Sequence, residues 1–368
     1  AGVLAGAAIL VVEVDQSRIE KRIAAGYCEH IAHDLDTAMS LIKEAQEKRI
    51  PRSVSLVGNA AEVYPLMLQR GIVPDVVTDQ TSAHDLLYGY VPIGYTAPEL
   101  DALRRSDPEK AKKLALDSIA KEVEALLQFK KKGAIVFDNG NNIRSQAFDR
   151  GVKNAFDIDI FTARYLRPLF ARGIGPFRWI ALTGNEKDIH YIDQLVLDNF
   201  KDNEIAVNWI KLAGEHIRFE ALPARICWLG HGERTKLALL VNEAVRNGKL
   251  SGPIAFTRDH LDGAAMTHPR IGTEAMRDGS DAIADWPLLN ALLNTACKAD
   301  LVAIHSGGGG YSGYMTSAGA TIIADGSKEA DSRLETALTA DTGLGVLRFA
   351  DAGYDEAIET AKKSKLGL

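Results

Sequence analysis

Apolar runs of strand length recur along the chain, and each is closed by a loop of small and polar residues. The first spans residues 8–15, where Ile9, Leu10, Val11 and Val12 lead into the acids Glu13 and Asp15 before a helical pattern over residues 17–30. A β-branched run at residues 53–57 leads into Gly58, Asn59 and Ala60 and a helix-like stretch over residues 62–70. Residues 74–78 run into Asp79, Gln80, Thr81, Ser82, Ala83, His84 and Asp85, and residues 134–137 are closed by Asp138, Asn139, Gly140, Asn141 and Asn142. Strands that alternate with helical segments predict a parallel α/β sheet, in which ligands sit beyond the carboxyl ends of the strands. Residues 97–132 are highly charged, with a helical pattern broken at Pro108, and predict a solvated helical excursion.

Near Asp157 the character changes. Residues 165–179 are dense in Arg, aromatic and Gly residues, which predicts a domain boundary dividing the chain into residues 1–160 and 161–368. Beyond it, residues 225–229 precede Gly230, His231 and Gly232, residues 253–257 precede Arg258, Asp259 and His260, and residues 301–304 precede His305, Ser306 and the glycines at 307–310. The same design, apolar strand then polar glycine loop, recurs.

The chain has 368 residues, 46% hydrophobic and 25% charged; at roughly 150 residues per domain this predicts two or three domains with sizeable cores. No stretch approaches the ~18 consecutive apolar residues of a membrane span, so a soluble protein without a membrane partner is expected. Basic and acidic side chains, 43 against 49, leave a net charge of −6, which gives no electrostatic footprint for nucleic acid. The three cysteines, Cys28, Cys227 and Cys297, are too widely spread for a disulfide framework and fit free thiols in the cytoplasm. Residues 1–8 are apolar without a basic flank or an initiator Met, and read as a cut.

Several groups carry possible chemistry. In a dinucleotide fold an acid at the tip of the second strand, where Glu13 and Asp15 stand, accepts hydrogen bonds from a ribose about 20 residues after a glycine-rich turn. Residues 1–6 would be the helix after that turn; a solvated strand end is the plain alternative. Cys227, beside Trp228 in a strand, is either a small buried hydrophobe or, with Arg225 and His231 nearby, a thiol of lowered pKa. The nine histidines lack the i, i+4 pairing of a zinc helix and there is no Cys-x-x-Cys, so no metal is expected. Asp259 and His260 fit a loop hydrogen-bond network better than a ligand pair. The glycines at 307–310 allow close approach of backbone to a flat or anionic ligand, or form a mobile turn.

Four long runs, at residues 80–85, 172–179, 222–230 and 278–295, together resemble the urocanase family, from one end of the chain to the other. The resemblance implies a Rossmann-like NAD-binding domain over residues 1–160 and an α/β core domain over residues 161–368, a homodimer, and a further N-terminal segment in family members that carries the glycine-rich turn. It implies NAD⁺ used as an electrophile: an imidazole acrylate adds through carbon to the nicotinamide C4, water attacks the ring, and an imidazolone propionate results. Carried over by position, Glu13, Arg18, Asn59, Ala60, Gln80, Thr81, Ser82, Ala83, His84, Tyr90, Val91 and Gly309 match cofactor-contacting residues. Cys227 matches the family's active-site cysteine. Arg178 falls in its substrate-side motif, where a guanidinium suits a carboxylate, and His84 is a candidate proton shuttle.

The departures fall on the substrate side. Asn139 stands where the family has tyrosine, His305 and Ser306 where it has two histidines, and Arg270, Ile271, Gly272 and Thr273 where it reads Asn-Arg-Glu-Thr; residues 310–317, with Met315, are rewritten. Asn139, Arg270, Ile271, Ser306 and Met315 therefore become candidate specificity residues. The expectation is a hydratase whose substrate is urocanate or a ring-modified urocanate such as thiourocanate or S-methyl-thiourocanate. An NAD-dependent dehydrogenase and an inactive NAD-binding paralogue are the rival readings.

Overall fold

The computed structural model describes residues 2–258, 261–308 and 311–367, and the chain divides into two compact units, Ala1–Ile160 and Phe161–Leu368. In the first unit, apolar strand β1 (Ala8–Glu13) is followed by helix α1 (Gln16–Ala24), whose start is fixed by Asp15 accepting the Ser17 N–H at 2.9 Å. There follow β2 (His30–Ala32), α2 (Leu35–Lys48), β3 (Arg52–Val57) and α3 (Ala60–Gln69). The strands form a parallel sheet in the order β1-β3-β2. Central β3 is buried continuously from Ser53 to Leu56, as a strand covered on both faces should be.

A second parallel sheet, β4-β5-β6, comprises β4 (Val76–Asp79), β5 (Ile135–Asp138) and β6 (Asp159–Ile160). Between its first two strands lie α4 (Ala97–Ser106) and α5 (Pro108–Lys131), and α6 (Ile143–Asp149) follows β5. The break at Pro108 stands where the pattern predicted it: Pro108 opens α5, and Asp107 caps it by accepting the Lys110 N–H at 3.0 Å. The expectation of a solvated excursion is corrected for α5, whose Ala115, Ile119, Val123 and Leu126 belong to the core with Val54, Leu56, Val77 and Val136. Residues 2–6, expected as helix, form turns instead: the Ala5, Gly6 and Ala7 N–H groups bond back to Gly2 and Val3, and Gly6 has φ 86°. That left-handed glycine turns the chain directly into β1.

The second unit begins with a short α7 (Arg167–Phe170), then β7 (Gly175–Ala181), α8 (Glu186–Asn199), α9 (Glu204–His216), β8 (Ala224–Leu229), α10 (Glu233–Arg246), β9 (Ile254–Arg258) and β10 (Met266–Thr267). It closes with α11 (Asp285–Ala296), β11 (Leu301–Gly308), β12 (Tyr311–Ala324), α12 (Lys328–Asp351) and α13 (Asp355–Lys363). Its sheet has the order β10-β12-β9-β7-β8, with β11 on the other side of β12, and every neighbouring pair is antiparallel. Because β7 and β12 run opposite to the rest, β8, β9 and β11 are mutually parallel, and their carboxyl ends share one edge.

One face of this sheet packs Phe177, Trp179, Cys227, Phe256 and Ile322 against Ile189 and Ile192 of α8, Leu237 and Val241 of α10, and Leu334 and Leu338 of α12. A buried polar clamp ties β9 to the helices. Arg258 bonds both carboxylate oxygens of Asp341, at 2.9 and 2.8 Å, and Asn290 and Asn294 of α11 donate to the same group at 2.8 and 2.9 Å. Burial raises the Asp341 pKa, but the Arg258 charge and hydrogen bonds outweigh it and hold the carboxyl at about 2. No helix among the described residues is long and apolar enough to cross a membrane.

Candidate functional site

The carboxyl ends of the first unit's strands gather most of the cofactor-side candidates. Glu13 ends β1 and its carbonyl accepts the Gly58 N–H at 3.0 Å, which sets it beside the turn into α3. Asn59 caps α3 by accepting the Ala61 N–H at 3.0 Å, and donates its amide to the Val91 carbonyl at 2.8 Å. Ala60 opens α3. Arg18, on exposed α1, pairs with Asp15 at 3.5 Å and belongs to the rim.

The 80–91 loop is folded tightly upon itself. Asp79 holds its start, accepting the Thr81 N–H at 3.2 Å and the Thr81 hydroxyl at 2.7 Å, and Asn141 donates to the Thr81 carbonyl at 2.6 Å. Its middle is an Asp85 turn that accepts from the backbone of Leu87 and Tyr88, while the Gly89 N–H bonds the Asp85 carbonyl. Gly89 has no room for a side chain: a Cβ there would lie 2.1 Å from the Ser82 carbonyl oxygen and 2.8 Å from that of Asp85. At the far end the Tyr90 hydroxyl donates to Glu122 of α5 at 2.6 Å, and the Ile93 N–H donates to Ser118, one turn earlier on that helix.

This bonding divides the loop's residues by role. Ala83 and Tyr90 are buried and the Asn59 amide is committed, so these can meet a ligand only through backbone. Gln80 and Ser82 are exposed, Thr81 is half-buried, and the Nδ1 atom of His84 is buried without a hydrogen-bond partner. An orphaned imidazole nitrogen with exposed amide and hydroxyl groups beside the strand ends is a donor set that fits a dinucleotide. Asn139 joins the group, its N–H bonding the Asp79 carbonyl at 3.2 Å.

Beneath the loop lie carboxyls that the sequence reading missed. Asp79 and Asp138 face each other across β4 and β5 and are both buried. Asp138 is paired with Arg144 at 2.8 Å. No cation pairs with Asp79 among the described residues; burial raises its pKa, and hydrogen bonds from Thr81 and Asn141 oppose the rise. Glu122 lies well above the ordinary glutamate range, first through burial and then through the Asp79 charge. The available signal was polar Ser118 and Glu122 within the apolar stripe Ala115, Ile119, Val123 and Leu126 of α5.

In the second unit, Cys227 faces the core opposite Phe177, while Arg178 is opposite Ile226 on the neighbouring register position. Side chains alternate along a strand, so Cys227 and Arg178 occupy opposite faces of the sheet. Arg225, expected to make the cysteine's surroundings electropositive, is spent on Asp193, at 2.7 and 3.1 Å. Burial pushes the Cys227 thiol up to about 12, the Trp228 N–H opposing and the Glu233 and Asp193 charges adding to the rise. Cys227 is thus buried with its thiol raised, not lowered.

A cavity of about 1250 Å³ runs along edge strand β8, lined by Trp209, Cys227, Trp228, His231 and Lys236 among others. His231 was not singled out as a site residue, and the geometry defines its state. Its Nδ1 is 2.8 Å from the Thr342 hydroxyl, which itself donates to the Leu338 carbonyl at 2.7 Å. The hydroxyl can then only accept, so Nδ1 carries the hydrogen and Nε2 is left basic. Burial and the Arg234 charge lower the His231 pKa and keep the ring neutral.

The specificity candidates are differently exposed. Ile271 and Met315 are fully buried, whereas Arg270 and Ser306 are exposed. The buried His268 ring accepts from the Arg270 and Ile271 N–H groups at 3.0 and 3.2 Å and fixes that loop. Gly309, Asp259 and His260 lie outside the described residues. Two family models match the chain: the urocanase Rossmann-like domain over residues 1–165 and the urocanase C-terminal domain over residues 168–363.

Proposed function

Because the chain belongs to the urocanase family, we propose that it is an NAD⁺-dependent hydratase of urocanate or of a ring-modified urocanate. The reading rests above all on the 80–91 loop, packed around Gly89 with the His84 Nδ1 left unpartnered. The chemistry supplied by a bound NAD⁺ is that of an electron sink, which makes the conjugated ring open to attack by water. The net reaction adds one water to the imidazole acrylate and releases nothing, giving an imidazolone propionate.

The chain's own task is then to bind, orient and move protons. Glu13, Arg18, Asn59, Ala60, Gln80, Thr81, Ser82, Ala83, His84, Tyr90, Val91 and Gly309 would hold the nucleotide. Arg178, on the half-buried face of β7, would take the substrate carboxylate through a charge-assisted pair. His84 would exchange a proton at Nδ1, and neutral His231 would accept one at Nε2. Cys227 keeps its own proton and supplies packing under β7 and β8 rather than a nucleophile.

The substrate side of the reading concerns Ile271, where the resemblance has arginine, together with Asn139, Arg270, Ser306 and Met315. Loss of a guanidinium favours a ring with a less polar substituent, and thiourocanate and S-methyl-thiourocanate are the substrates to set beside urocanate. A panel of the three with the full-length protein and NAD⁺, followed by loss of the ring-acrylate absorbance, tests this. Preference for a sulfur-bearing ring supports the altered pocket; preference for urocanate assigns ordinary urocanate hydration.

The partner expected in solution is a second copy of the chain. Leu288, Leu289 and Leu292 of α11 and Leu301 and Ile304 of edge strand β11 are exposed apolar side chains on elements that pack together. An uncovered edge strand flanked by such a helix can be covered by its two-fold mate.

A further inference from the structure

We infer that Glu122 is a positioning residue which, through Tyr90 and Asp79, sets the 80–91 loop in the shape that receives the nucleotide. The inference deepens the NAD⁺ reading and rests on it.

Three observations carry it. First, Glu122 is buried in the middle of α5 with no cation beside it among the described residues, an arrangement far too costly for a free carboxylate. Second, its carboxyl acts at both ends of one loop. Oε2 accepts the Tyr90 hydroxyl at 2.6 Å, at the loop's end. Oε1 has no hydrogen-bond donor among the described residues, and the carboxyl lies close enough to Asp79, the residue that holds the loop's start through Thr81, for the Asp79 charge to act on it. Two buried carboxyls this close share a hydrogen bond only if one carries the proton, and burial together with the Asp79 charge raises the Glu122 pKa and favours the proton there. A protonated Glu122 accepts from Tyr90 and presents its O–H to Asp79, which would give its orphan oxygen a partner.

Third, the surrounding bonds all converge on the same segment. Ser118, one turn before Glu122 on α5, accepts from Ile93, and Asn141 and Gln146 donate to the carbonyls of Thr81 and Ala83. Residues 79–93 are therefore suspended from α5, from the β5–α6 turn and from α6. The neutral acid is the piece that spans both ends. A glutamine keeps both bonds, its carbonyl accepting from Tyr90 and its amide donating to Asp79; a methionine of similar shape keeps neither.

The test compares Glu122→Gln, Glu122→Met and Tyr90→Phe in the full-length protein. Hydrogen exchange over residues 79–93 is read without nucleotide, and NAD⁺ affinity is read by calorimetry. Wild type and Glu122→Gln should show the same protection and affinities within about 3-fold. Glu122→Met should lose loop protection and bind NAD⁺ at least about 10-fold more weakly, the size expected when a buried polar group loses its partner. If Glu122→Met does not fold, Tyr90→Phe should still loosen residues 88–93 and weaken binding about 5-fold. Wild-type protection in both of those variants, or a Glu122→Gln as impaired as Glu122→Met, overturns the inference. If wild type takes up no NAD⁺, the NAD⁺ reading fails, and the nucleotide-free exchange still decides the role of Glu122 in the loop.

Discussion

The environment of Cys227 makes a quantitative statement about its reactivity. Burial lifts its pKa to about 12, so at pH 8 the thiolate is about 10⁻⁴ of the population, against about a quarter for an unperturbed thiol near 8.5. The thiolate is the species that alkylates, so native Cys227 should react about 2,000-fold more slowly than the same residue in the unfolded chain, before any steric shielding. Shielding adds to this, since only 1% of the residue is exposed. The assay is a timed iodoacetamide pulse at pH 8, with and without urea, read peptide by peptide by mass spectrometry. Half-buried Cys297 serves as the internal comparison and should label ahead of Cys227. Native labelling of Cys227 within about 10-fold of the unfolded rate, accompanied by loss of activity, would refute the reasoning and restore a reactive thiolate.

Gly89→Ala would force a methyl group onto the Ser82 carbonyl; overpacking of this kind costs about 1–3 kcal/mol, and calorimetry should find NAD⁺ binding weakened at least about 5-fold. The Asp341 carboxyl, lowered from 3.8 to about 2 by the Arg258 pair against its burial, contributes stability that is present above about pH 4 and lost as pH falls toward 2. Its share is about 2 kcal/mol, so urea unfolding at pH 3 and pH 6 should differ by less in Asp341→Asn, which should also be less stable at both pH values. Leu292→Asp places a charge on the exposed apolar surface of α11 and, where the proposed two-fold mate seats on that surface, should give a monomer by light scattering; a mass equal to that of the parent refutes this interface.

Much of the first unit was legible in the sequence because its strands are short apolar runs that end at Gly, Asn or Asp. β3 shows why: four consecutive buried residues, Ser53 to Leu56, form a block that composition alone can find. Charge hid α5, since its lysines and glutamates dominate a count while Ala115, Ile119, Val123 and Leu126 recur on one face. The second unit's loops were found, but β12, rich in small residues, offered little hydrophobic signal, and the antiparallel order followed only from the pairing. Cys227 and Arg178 show the same limit. Each stood in a recognisable motif, yet their opposite faces depend on the β7–β8 register, which no single strand contains. Glu122 was missed because one acid in a charged helix looks ordinary until burial removes its water.

The hydratase proposed above would add water to an imidazole acrylate with NAD⁺ as an unconsumed electron sink. The most direct measurement follows the ring-acrylate absorbance and the NADH absorbance together in one reaction of full-length protein, NAD⁺ and urocanate or its sulfur analogues. The conjugated absorbance should disappear over many turnovers while no NADH accumulates. NADH formed in step with substrate loss would contradict the hydratase reading in favour of a dehydrogenase, and tight NAD⁺ binding with no turnover of any of these substrates would contradict it in favour of an inactive nucleotide-binding relative.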